Sequence, residues 1–89
     1  MYAYEIIPSL QKVLNKLSKK NNALFEQVLK KISEVINSGD VEHYKNLRYD
    51  MKCEKRIHIG HFALVFQFIR SENKIIFTDF DHHDKVYEK

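Results

Sequence analysis

The sequence predicts an α+β domain: an N-terminal strand, a helical hairpin, then an antiparallel sheet of three to four strands with the helices packed on one face. Three observations carry this. Apolar residues recur at helical spacing in two successive stretches and then, after Gly39, change to a period of two. The breaks between the later apolar runs are short, which makes chain neighbours antiparallel. Only two Gly and one Pro occur in 89 residues, so most of the chain must sit in regular elements. A chain of this length is read as one domain, residues 1–89.

Tyr2 to Ile7 alternates weakly and Pro8 ends it, as for a short strand. Pro8-Ser9 opens a helix, because the fixed φ of proline suits a first turn. Leu10, Val13, Leu14 and Leu17 then fall at i, i+3, i+4 and i+7, which is one helical stripe. Ser18-Lys19-Lys20-Asn21-Asn22 is a polar break. Asn22 is expected as the N-cap of a second helix, its side-chain oxygen accepting from an orphan N–H. Phe25, Val28, Leu29, Ile32, Val35 and Ile36 keep the helical spacing, and Gly39 is expected in the left-handed C′ position.

Beyond Gly39, Tyr44 to Tyr49 is a candidate strand and Asp50-Met51-Lys52 a turn. In Lys55–Ile59, Ile57 and Ile59 face one way and Arg56 and His58 the other. Gly60-His61 is a tight connection. Along Phe62–Ile69, Phe62, Leu64, Phe66 and Phe68 share a face and Ala63, Val65, Gln67 and Ile69 the opposite one. Ser71-Glu72-Asn73 turns the chain into Lys74–Phe80, and residues 81–89 form a polar tail. Ile57, Ile59, Phe62, Leu64, Phe66 and Phe68 are expected beneath the helices. The face of Arg56, His58, Ala63, Val65 and Gln67 is expected to be open.

Hydrophobic residues make up 44% and charged residues 30%, which excludes a disordered or low-complexity chain. A domain this small has one modest core, so an active site is expected as a surface cleft acting on a large substrate. The lone Cys53 excludes an internal disulfide and a multi-cysteine zinc cluster. No run approaches the roughly 18 apolar residues of a membrane span. Met1–Glu5 lacks a basic region followed by an apolar stretch, so a cytoplasmic protein is expected. The net charge of +3 permits a nucleic-acid partner without demanding one.

The five histidines are more informative. His82 and His83 are adjacent, and His58 and His61 are near neighbours. Arg56 and His58 are two residues apart on a strand and share a face, Arg48 is expected on a neighbouring strand, and a tail carrying His82, His83 and Tyr87 could return to the rim. Arg suits bidentate contact with phosphate, Tyr can stack on a base, and His can move a proton near neutral pH. The alternative is that Arg56 and His58 form only the solvated side of an amphipathic strand. His82-His83 has no Asp or Cys at metal-ligand spacing, so no metal is expected.

The chain resembles the RelE/ParE superfamily of toxins from type II toxin–antitoxin modules over nearly its whole length. Ser9-Leu10-Gln11-Lys12-Val13-Leu14 matches the family's first-helix start, and His43-Tyr44-Lys45-Asn46-Leu47 its K-x-L element. Lys55 to Phe66 follows the pattern of an R-x-R-x-G strand and turn leading into an aromatic-Arg-apolar-apolar-aromatic strand. His82-His83-Asp84-Lys85-Val86-Tyr87 resembles the closing H-R-x-x-V-Y signature. Arg56 and Tyr87 carry over directly. His58 and His83 stand where the family has Arg, and Ala63 replaces a third Arg. The last change removes one charge-assisted phosphate contact, worth about 1.5–3 kcal/mol.

The resemblance implies a ribosome-dependent mRNA endoribonuclease that inhibits translation through attack of a ribose 2′-OH on the adjacent phosphate. Arg56, His58, His83 and Tyr87 are its implied catalytic residues, and Arg48, Lys52, Lys55 and His82 its implied RNA-binding residues. The implied partners are a cognate antitoxin, the ribosome and mRNA, with no cofactor. Two other readings stay open: a ParE-like, non-enzymatic inhibitor of DNA gyrase, and an inactive toxin that retains only antitoxin binding.

Overall fold

In the computed structural model, residues 2–39, 41, 44 and 54–88 are described, residues 87 and 88 through their backbone alone. The elements run β1 (Ala3–Ile6), α1 (Pro8–Lys20), α2 (Asn22–Ile36), β2 (Glu54–Ile59), β3 (Phe62–Ile69), a 3-10 turn (Arg70–Glu72), β4 (Lys74–His82) and α3 (His83–Glu88). Apart from Tyr44, the expected strand Tyr44–Tyr49 and turn Asp50–Lys52 lie outside the described residues. So do Arg48, Lys52 and Cys53. No helix among the described residues is long and apolar enough to cross a membrane.

The helical hairpin forms where the spacing placed it. Pro8 occupies the start of α1, with Ile7 preceding it in extended conformation. The cap of α2 is one residue earlier than expected: Asn21, not Asn22, accepts a hydrogen bond on its side chain from the Leu24 N–H, at 3.2 Å. Gly39 does not take a positive φ. Helix α2 ends at Ile36, and Asn37 closes it by donating from Nδ2 to the Ser33 carbonyl at 2.9 Å, which satisfies a terminal carbonyl without a left-handed residue.

The sheet order is β1-β4-β3-β2. Strands β2, β3 and β4 are antiparallel neighbours, as their short connections require, but β1 pairs with β4 in parallel, so the sheet is mixed. Helices α1 and α2 separate β1 from the later strands, which frees it from the hairpin rule. Gly60-His61 is a two-residue hairpin joining the pair Ile59↔Phe62. Gly60 has φ +62°, a value that costs glycine nothing because it has no Cβ.

The helices bury one face of the sheet. Leu10, Leu14, Val28, Ile32, Val35 and Ile36 pack over Ile59, Leu64, Phe66, Ile75, Phe77 and Phe80, with Ile57, Phe62 and Phe68 partly buried against them. The core residues expected beneath the helices are therefore there. A register shift at Val65/Phe66 leaves Thr78 as the extra residue, because Val65 pairs with Asp79 while Phe66 pairs with Phe77. This bulge resets the pleat, and it explains how Phe77 and Phe80, three positions apart, both reach the core.

The opposite face is not open. The polar tail forms α3, and Val86, 2% exposed, closes a second small apolar cluster over Ala63 and Val65. One valine in a polar stretch shows no periodicity, so the helix was not legible, although the return of the tail to the rim was. This face is also less basic than the strand pattern implied. Cross-strand rows run Arg56–Val65–Asp79 and His58–Ala63–Asp81, so the row of the cation and the row of the imidazole each also carry a carboxylate, two strands away.

Candidate active site

Two strand ends, a hairpin turn and a helix start meet at one corner of the sheet. The β2–β3 turn and the β4–α3 junction are tied by a backbone bond, with the His83 N–H donating to the His61 carbonyl at 2.9 Å. That bond brings His58, His61, His82 and His83 together. With Gly60 and Asp84 they line a cleft of about 320 Å³, within the size range of small-ligand sites.

Inside the cleft, the His58 and His83 rings lie 5.1 Å apart between centroids, tilted by 44°. Nδ1 of His83 lies 3.1 Å from Oδ1 of Asp84. An ionised carboxylate only accepts, so in this contact Nδ1 is the donor. Nδ1 of the adjacent His82 lies 3.4 Å from the Asp84 N–H and 3.9 Å from Asp84 Oδ2. The His61 and His82 rings are almost parallel, at 8° and 6.3 Å. Phe62 braces His82 edge-on at 5.7 Å.

Arg56 stands on the same face, half-buried, with its Nε out of solvent. Lys55 is not brought to this site. It lies on the helix-covered face, 6% exposed, and donates from Nζ to the Tyr44 carbonyl at 3.3 Å. The alternation of a strand sends neighbours to opposite faces, so Lys55 and Arg56 could not serve one surface together. The backbone places Tyr87 in α3, directly after Val86. A second cleft of about 300 Å³ shares His58 and Gly60 with the first and extends over Lys30, Lys31 and Glu34 of α2.

Sequence reasoning selected His58, His82 and His83 and allowed the tail to return to the rim of their face, but it did not include His61 and Asp84. Their signals were present only as proximity: His61 follows the glycine of the turn, and Asp84 follows His83. Among the described residues no group of three His, Cys, Asp or Glu side chains is arranged to hold a metal ion. The cleft offers a pair of imidazoles for proton transfer and nearly parallel rings for stacking, while Arg56 stands outside its lining, two residues before His58 on the same face of β2.

No protein-family model matches the chain. A Methanocaldococcus jannaschii protein described as "Putative toxin RelE4" is 46% identical over 90 residues, covering 100% of this chain and 94% of its own. An uncharacterized protein of Methanosarcina mazei is 39% identical over 88 residues, covering 98% and 100%. Among solved structures, the isolated E. coli RelE toxin superimposes with a TM-score of 0.76 at 23% identity, over 92% of this chain and 84% of that one. A chain of the intact E. coli RelBE toxin–antitoxin complex gives 0.75 at 23% identity, over 92% and 96%. These two likenesses establish the fold. The 46% identity reaches across the whole chain, and with it the protein belongs to the RelE-like toxin family.

Proposed function

We propose that this protein is the toxin of a type II toxin–antitoxin module and that it cleaves ribosome-bound mRNA. The observation that carries the reading is the His58–His83 pair, 5.1 Å apart in an exposed cleft. One imidazole takes the proton of the attacking ribose 2′-OH as the P–O bond forms. The other protonates the departing 5′-oxygen, leaving a 2′,3′-cyclic phosphate and a 5′-hydroxyl. Arg56 stabilises the charge that develops on the phosphorane, and Tyr87 orients or stacks on a base. The likeness to a chain of the RelBE complex supports a protein antitoxin as partner, and the ribosome and mRNA as target follow from the family reading.

The test is incubation of purified protein with ribosomes stalled on a defined mRNA. Cleavage by the wild type and its loss in His58→Ala and His83→Ala are expected. An intact transcript with the wild type would sink the proposal. One observation favours a different reading: Ala63 is fully buried under α3, so the family's arginine has no counterpart there, as in a non-enzymatic inhibitor of the gyrase-directed kind. Replication stopping before translation in induced cells would favour that inhibitor.

A further inference from the structure

We propose that His61 and His82 form a stacking platform for one nucleobase, beside the position of the scissile phosphate. This rests on the ribonuclease reading and adds a base-binding site to it. The two rings are nearly parallel and both residues are exposed. They line the same cleft as His58 and His83, so a base held on them belongs to a nucleotide next to the reacting bond.

The platform is preorganised. His82 is braced edge-on by Phe62, which itself stacks on Phe80 at 5.2 Å. The His82 N–H donates to Asp81 Oδ1 at 2.7 Å, and its Nδ1 lies 3.4 Å from the Asp84 N–H. Stacking tolerates any base, because every base has a π-face.

The rest of the surface fits a polynucleotide better than a protein side chain. A Cβ built on Gly60 would meet nothing within 4 Å, so a strand can cross the turn there. The second cleft beyond it carries Lys30 beside the Lys31–Glu34 ion pair at 3.2 Å, and the Lys30 ammonium suits the next phosphate.

The experiment uses the full chain and a 2′-O-methyl RNA trinucleotide, which cannot be cut because its 2′-oxygen carries no proton. NMR titration should show upfield ring-current shifts of the His61 and His82 ring protons, lost when one position of the trinucleotide is made abasic. Affinity should fall about five- to 150-fold in His61→Ala and in His82→Ala, the range of one base–aromatic stack. His82→Phe should restore most of it. Both residues are exposed, and an unchanged amide spectrum confirms that each variant is folded. Shifts indifferent to abasic substitution, unchanged affinity in both alanine variants, or shifts produced by an acidic peptide and by no oligonucleotide would each overturn the platform. Cleavage of mRNA without base-dependent shifts sinks the platform alone, and base-dependent shifts without cleavage sink the ribonuclease reading alone.

Discussion

The imidazole of His58 on β2 lies 5.1 Å from that of His83 at the first position of α3. Strand β3 runs between their strands, and it contributes Ala63 to the row that separates His58 from Asp81. Ala63, one of the three positions that depart from the family pattern, is buried in this row beneath Val86 of the same helix that carries His83.

Removing either imidazole should cost about 10²–10⁴-fold in the rate of the cleavage step, the usual contribution of a general acid or base. The double variant should cost little more than the worse single one, since residues that act as a unit are not additive. Single-turnover cleavage of ribosome-bound mRNA measures this. A multiplicative loss would show that the two rings act in separate steps.

Asp84 should act through His83. Its side chain is 74% exposed, so its removal leaves the fold intact while freeing the His83 tautomer. Asp84→Ala should slow cleavage by less than His83→Ala does, and Asp84→Asn should fall between Asp84→Ala and the wild type, because its amide oxygen still accepts from Nδ1. Nitrogen-15 spectra of the imidazoles should show His83 protonated at Nδ1 in the wild type and mixed in Asp84→Ala.

Restoring the family's arginine should harm this protein. Ala63 is 0% exposed beneath Val86, so Ala63→Arg must lift α3 or bury a charge. A drop in melting temperature, with cleavage reduced and not raised, is the expected outcome. Val86→Ala probes the same contact more gently. It removes part of the roughly 1.5–3 kcal/mol gained by burying a valine, and it should lower activity by loosening α3 and with it the position of His83.

Arg56→Glu should weaken the toxin and its antitoxin complex together if the antitoxin presents acidic residues to this face. Loss of one opposite-charge contact reduces the salt dependence of association as well as its strength. Antitoxin affinity measured across salt concentrations reads both, and unchanged values would place neutralisation elsewhere on the toxin.

At the far edge of the sheet, Lys74 donates from Nζ to Glu5 at 2.7 Å, and this bond holds the Lys74 ammonium above its usual 10.5. A folded-state value raised in this way adds stability that is fully present below the unfolded value and lost as pH rises past the folded one. Glu5→Gln should therefore melt slightly below the wild type at pH 8, and the difference should vanish in strongly alkaline buffer.

The helical hairpin, the three antiparallel strands and the residues beneath the helices were legible in the sequence, because each depends on periodicity within one element. The parallel pairing of β1 with β4 was not, since nothing local to Tyr2–Ile7 states which strand it will join. The site divides in the same way. Alternation put Arg56 and His58 on one face and, applied strictly, Lys55 on the other. The return of the His82–His83 tail toward His58 could be expected but not its geometry: the meeting of the four histidines depends on the His83–His61 backbone bond and on a six-residue helix held by Val86. A helix that short has too few residues to show a period, and its docking energy comes from residues of β3 distant in the chain. Residue types and the faces of long elements were therefore determined by sequence, whereas the closing of α3 over Ala63, and with it the His58–His83 pair, was decided only by the tertiary fold.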